Sequence, residues 1–365
     1  MADRAKRTGD SRRSARTRGG QQRASLVIVG LLLIGALGIG AAAFVLLGGL
    51  PAAPDTSASA SPGEESPLAT LDPREPISAA AIQRVPHLVF QNVVRDENYA
   101  ETSLVALGSP AGMRVPTGLI CERVHFAAGH GICLTAEHDA ESAYLAVLFD
   151  ASFQPSHQLE LDGAPTFARV SRDGRLAAAS FQTSPPTAEM PFAPTETWLL
   201  DTSTGEVVAD LADFDLVRDG LQLAEQEVDY WGVTFKGDGD GFYASVRFDG
   251  NIHLVEGSIQ ERQLLVLDSG ISAPSLSLDE SRIAYTRLVS NLGPTWRFHV
   301  RNLATGTDVE LAEATSIDDQ LEWMDADHLL YGLATDIWRV PADGTGEPLP
   351  FLFGGLSPAV VAAGN

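Results

Sequence analysis

One pattern recurs along most of this chain and restricts its fold more than any other property: an apolar strand, a tight turn and a second strand. Clear copies are AYLAVLFDASFQPSHQLEL (143–161), TETWLLDTSTGEVVADL (195–211), RFHVRNLATGTDVELAE (297–313) and DIWRVPADGTGEPLPFL (336–352). Looser copies are TSLVALGSPAGMRV (102–115) and NIHLVEGSIQERQLLVL (251–267). Each copy but the first follows another hairpin: RVHFAAGHGICLT, ARVSRDGRLAAASF, VTFKGDGDGFYASV, SLSLDESRIAYTRL or LEWMDADHLLYGL. The Asp and Gly residues in these turns tolerate the backbone angles hairpins need. Together the two elements form a four-stranded antiparallel unit repeating every ~40–55 residues, the period of propeller blades.

The first unit lacks an opening strand. It starts at HLVFQN, continues with TSLVAL and closes with MRVP, while the chain's last apolar stretch, LSPAVV (356–361), has the character of an opening strand. A final strand paired to the first blade closes the ring and removes two exposed sheet edges. The expected fold is therefore all-β: a six-bladed β-propeller of four-stranded blades, closed by the C-terminal strand, over 87–365. Helical spacing is confined to 78–82 and 221–227. The longest gap, between the third and fourth units, holds TSPPTAEMPFAP (183–194) and the stretch 217–228. Loops on rigid scaffolds carry function, so 183–194 and 217–226 are candidate contact surfaces, with solvent-facing excursions as the competing reading.

The elements SRDGRLAAASF, SLDESRIAYTRL and EWMDADHLLYG resemble the repeats of TolB-like propellers, whose typical blade opens with Ser-Pro-Asp-Gly. Arg172 and Leu278 stand at the proline position, and Glu280 at the glycine. The resemblance spans most of 87–361. With the N-terminal features below, it extends to membrane-anchored propellers of actinobacteria. It implies a protein-binding platform at the cell envelope and no catalytic residues.

Residues 24–50 are an uncharged apolar run, longer than the ~20 residues a bilayer core requires. The arm before it, 1–23, carries Arg4, Lys6, Arg7, Arg12, Arg13, Arg16, Arg18 and Arg23 against Asp3 and Asp10, a net +6. Positive flanks stay cytoplasmic, so a single transmembrane helix would place the rest of the chain outside. A cleaved signal peptide is the alternative, but its apolar region usually spans only ~7–15 residues. Residues 51–86, rich in Pro, Ser and Ala, cannot bury enough apolar surface to offset ordering entropy and read as a disordered stalk.

The chain's net charge of −23, less +6 in the arm, leaves −29 beyond it. Such a surface repels phosphate backbones, which excludes nucleic acid as a partner of the outer domain. Cys121 and Cys133 flank a Gly-rich turn, so a disulfide is expected in an oxidising compartment, with two buried thiols as the alternative.

No Gly-x-Ser-x-Gly elbow occurs. His87, His125, His130, His138, His157, His253, His299 and His328 are scattered without HExxH or paired spacing, and read as structural. The run 237–241 (GDGDG) lacks the ligand set of a calcium loop and reads as a turn. Trp231, Phe235, Trp323 and Trp338 read as packing between blades, with a partner-anchoring rim as the alternative. Glu122, Asp229, Asp318 and Asp319 precede or begin innermost strands and are the candidates for holding a channel cation. No cofactor is expected. The functional expectation is a non-catalytic binding platform; the competing one is a metal-dependent hydrolase or lactonase working in the channel.

Overall fold

The computed structural model describes residues 77–136, 143–187, 192–224, 227–290 and 295–363. The basic arm, the apolar run 24–50 and most of the expected stalk lie outside the described residues, as does His138. Among the described residues, no helix is long and apolar enough to cross a membrane.

Among the described residues six sheets form six blades, each with a four-stranded antiparallel core. Blade 2 runs outward from Arg123–Ala127 through His130–Ala136 and Tyr144–Asp150 to Pro155–Leu161. Blades 3, 5 and 6 repeat the arrangement from Ala164–Val170, Ser272–Leu276 and Glu322–Trp323. In blade 1 the innermost strand is the C-terminal Gly355–Val361, antiparallel to His87–Asn92, with His87 opposite Val361 and Asn92 opposite Gly355. The ring therefore closes as the sequence predicts. The third strand supplied by the N-terminal part of blade 1 is Val115–Ile120, a few residues beyond the expected MRVP.

Burial explains why the strands read as they do. Second strands are covered on both faces by neighbouring blades, and their sequences are mainly apolar: Gly241–Phe248 is buried at all positions but Arg247. Outermost strands expose one face, and Val115–Ile120 alternates residue by residue. The apolar side chains segregate into six clusters, one between each pair of adjacent blades. Between blades 1 and 2, Phe126, Phe149 and Phe153 stack with centroids 5.5–5.9 Å apart. Gly131 sits opposite Phe149 in this sheet, and any Cβ at Gly131 would lie 2.0 Å from the Phe149 ring.

The Ser-x-Asp turns supply their own hydrogen bonds. Ser171 Oγ donates to Asp173 Oδ1 at 2.7 Å and accepts from the Leu176 amide, while Asp173 accepts the Arg175 amide. Ser277 and Asp279 make the same bonds with Arg282 and Ser281. Glu280 takes the left-handed conformation that Gly174 takes in blade 3. The turn 237–241 is built likewise, Asp238 accepting the Asp240 and Gly241 amides.

Two features differ from the sequence expectation. The stretch 221–227 is not helical where described: Asp215–Arg218 pairs parallel to the outer strand Gln263–Ser269 and then antiparallel to Leu221–Gln222. This makes blade 4 six-stranded, because Phe214 and Leu216 insert into the cluster between blades 3 and 4 and hold the segment against the edge. In addition, residues 78–86, assigned by composition to the stalk, pack on the propeller; the helical turn Ala79–Ile82, capped by Ser78, forms where helical spacing was expected. Ile82 is 1% exposed and packs with Val89 and Leu104 of blade 1.

Candidate functional site

The innermost strands begin at Arg123, Ala164, Asp229, Ser272, Glu322 and Gly355, and the face where they begin is here the upper one. The insertion 183–194 joins the second and third strands of blade 3, and its described ends, 183–187 and 192–194, lie on that face.

Halfway down, the channel is filled by side chains from opposite blades. Arg169 of blade 3 forms an ion pair with Glu322 of blade 6, and its Nη2 donates to Leu321 O at 3.1 Å and Ser275 Oγ at 3.3 Å. The Gln320 side chain crosses the same space. Its Nε2 donates to Ala168 O at 2.8 Å and its Oε1 accepts the Ala168 amide at 3.2 Å, in the manner of a short strand pairing. Glu322 Oε1 accepts the Val360 amide of the closing strand. His125 of blade 2 accepts the Val170 amide on Nδ1 at 3.1 Å. Its Nε2 lies 3.3 Å from Arg169 Nη1 and 3.7 Å from Glu322 Oε2, between the two members of the ion pair. One cluster thus ties blades 2, 3, 5 and 6 to the closing strand.

The electrostatics of this plug are self-contained. Burial pushes Glu322 up, but the Arg169 charge and the His125 and Val360 contacts outweigh it, so its pKa lies below the ordinary carboxylate value. Burial holds His125 below the ordinary histidine value, which keeps it neutral. A buried pair is tolerable only when its remaining polar atoms are also satisfied, and these are.

The plug floors a cup on the lower face, and a second cup opens on the upper face over blades 3 to 5. The lower one, about 320 Å³, is mainly apolar, with Phe126, Phe235, Leu276, Met324 and Val361 in its wall and His125, Arg169 and Glu322 at its floor. The upper cup, about 250 Å³, is walled by Phe167, Phe192, Trp231 and Trp296 together with Arg247 and Asp318. Here Arg247 is paired with Asp229 at 2.5 Å, donates to Phe192 O and Ala193 O, and lies 4.9 Å from the Phe192 ring centroid. Phe192 meets Trp296 edge-on, so the described end of the insertion 183–194 is anchored to blades 4 and 5. Trp231 Nε1 donates to Ser272 Oγ at 3.0 Å.

Asp318 differs from the other carboxylates of the channel. It is exposed at the cup wall, and its pKa is pushed up to about 6 by desolvation and by the neighbouring Asp319, against the Arg123 charge. Asp319 is also raised, chiefly by burial; its Oδ2 accepts the Gly332 amide at 3.0 Å.

The four carboxylates expected to hold a cation are therefore not equivalent. Asp229 is neutralised by Arg247, and Glu122, exposed like Asp318, does not line the upper cup. Asp318 and Asp319 remain adjacent in the upper part of the channel. Among the described residues no group of three or more His, Cys, Asp or Glu side chains is placed to hold a metal ion. The channel centre already contains the Arg169 guanidinium, a fixed positive charge matched to Glu322. These residues do not fit a catalytic divalent ion.

The other sequence candidates are placed as follows. Cys121 and Cys133 form a disulfide, with Cα atoms 5.2 Å apart. Phe235 and Trp323 are buried between blades, and Trp338 is half-buried there; Trp231 instead faces the upper cup. His87 bonds Val85 O, His157 bonds Ser203 O, His253 stacks on Phe248, His299 pairs with Asp308 and His328 with Asp325. Sequence reasoning did not single out Arg169, Gln320 or Glu322. Arg169 and Glu322 lie 153 positions apart, and Gln320 and Ala168 lie 152 apart; the available signal was only a polar residue within or just before a short innermost strand.

No family model matches the sequence, and no curated protein matches it. Solved structures match it in fold. TolB from Acinetobacter baumannii is 13% identical over 76% of this chain and 67% of its own, with a TM-score of 0.52. A chain of the nidogen/laminin complex is 11% identical over 76% of this chain and 98% of its own, also with a TM-score of 0.52. At such identities the likeness concerns fold alone, and the fold shared with TolB and with that chain is a six-bladed β-propeller.

Proposed function

We propose that this chain is a non-catalytic binding propeller, held on the outer side of a cell membrane by residues 24–50 and presenting its upper face to a protein or envelope component. The observation that carries the reading is the closed channel. A propeller that processes a small substrate in its channel needs reactive groups and room around them. Here the centre is occupied by the Arg169–Glu322 ion pair with His125 beside it, and by Gln320, which bonds the Ala168 backbone. The upper cup above them is small, has a rim of aromatic residues, and is flanked by the insertion 183–194. Aromatic and arginine side chains are the usual anchors of binding surfaces. The sequence of 1–50 supports the membrane attachment, and the disulfide Cys121–Cys133 suits an oxidising compartment.

The test is photocrosslinking in intact cells. A photoreactive residue at Pro186 or Leu221, near the upper cup and in the added blade-4 hairpin, is compared with one at Leu278 on the lower face. A discrete adduct from the upper positions and none from Leu278 supports the reading. No adduct at any position, together with metal-dependent turnover of lactones by the purified chain, overturns it in favour of a channel hydrolase.

A further inference from the structure

We infer that the upper cup is a binding site for an organic ammonium group, carried by a lysine side chain or by a small free amine. This deepens the binding reading by naming the chemistry of the guest.

Three observations converge on it. The first is the wall. Phe167 and Trp231 are half-buried at the cup surface, and aromatic faces attract cations through their quadrupole, whereas Phe192 is already covered by Arg247. The second is charge balance. Asp229 cancels Arg247 within the same cup. Arg123 is the one cation acting on both Asp318 and Asp319, and its Nε is engaged by Thr166 O at 2.6 Å. The neighbourhood is left one negative charge in excess, and no hydrogen bond from a described residue reaches the Asp318 carboxylate. The third is size. At about 250 Å³ the cup falls just below the ~300–1,000 Å³ of sites for drug-sized ligands, which suits one side-chain head and not a larger molecule.

A sugar would also use aromatic walls, but it gains nothing from an unmatched carboxylate. An ammonium head supplies the missing charge and hydrogen-bond donors together. Binding then draws Asp318 toward its ionised form, so it releases a proton at mildly acidic pH. The other charged groups facing that carboxylate are Asp319 and Arg123, with the paired Arg247 and Asp229 across the cup.

The experiment is titration calorimetry of the full chain in detergent with n-butylammonium, Nα-acetyl-lysine methylamide and neutral n-butanol. Both ammonium probes are expected to bind at least ~10-fold more tightly than butanol. Asp318→Asn should weaken them by about the same factor, and Asp318→Glu should restore most of the loss. Affinity should rise from pH 5 to pH 7. Tighter binding of the lysine derivative assigns the guest to a protein side chain, and tighter binding of butylammonium assigns it to a free amine. Equal binding of butanol, indifference to Asp318→Asn, or no saturation with either ammonium probe overturns the inference. Because no macromolecular partner enters the titration, its failure leaves the crosslinking result standing, and the reverse holds too.

Discussion

Asp318 and Glu322 lie on the same short segment leading into blade 6, yet their environments drive them in opposite directions. Glu322 is the more deeply buried, and it is the one kept ionised, because Arg169, His125 and the Val360 amide surround it. Asp318 touches solvent, and it is the one whose pKa rises to about 6. Burial raises both; the partner decides the outcome. One carboxylate is therefore committed to joining blades, while the other is left without a partner at the wall of a cup. The first is a structural fastening and the second a feature available to a ligand.

The comparison can be broken most forcefully at the fastening. Glu322→Ala strands the Arg169 charge in the channel and should cost about 3–5 kcal/mol, measured by urea unfolding. If the loss is under about 1 kcal/mol, Arg169 is not buried as described. The double variant Arg169→Met with Glu322→Leu sharpens the point. Removing both charges should recover most of that loss, since apolar replacements of a buried pair are often neutral or stabilising.

Asp318→Asn should act in the reverse sense and more weakly. The folded-state pKa of Asp318 is raised, so the native state binds more protons than the unfolded one between pH 4 and 6, and stability falls as pH rises through that window. The variant should therefore gain up to about 1 kcal/mol at pH 7.5, allowing for solvent screening, and nothing at pH 4. Glu322 has the opposite linkage: its contribution is complete above the unfolded-state pKa and is lost as pH falls through its lowered native value. The smallest effect should come from Arg175→Ala. This removes an exposed pair with Asp173 and should change stability by no more than about 0.5 kcal/mol in the same assay.

The architecture was legible because the repeat is written in local chemistry. Ser171-x-Asp173 and Ser277-x-Asp279 close their own turns, and mainly apolar runs mark strands covered on both sides. Even the closing strand could be recognised, since its alternation lacks a partner until it meets His87–Asn92. Local pattern misled at 221–227, where the described part became an edge strand. The reason is tertiary: Phe214 and Leu216 pin the preceding segment into an inter-blade cluster, and the free edge of Gln263–Ser269 offers hydrogen bonds.

The channel was legible only in part. Asp318 and Asp319 were identifiable from their place just before an innermost strand, but the excess of two carboxylates over the single Arg123 was not. That depends on Asp229 pairing with Arg247 and on Arg169 being engaged by Glu322. Such pairings join residues remote in sequence, and no spacing rule carries them.

The two carboxyl groups can be followed individually by carbon-13 NMR titration of selectively labelled protein between pH 3 and 8. The Asp318 carboxyl should titrate near 6, and the Glu322 carboxyl should stay ionised to below its ordinary value until the fold is lost. If both titrate together near pH 4, the channel is open to water throughout, and neither the fastening nor the unmatched cup carboxylate exists.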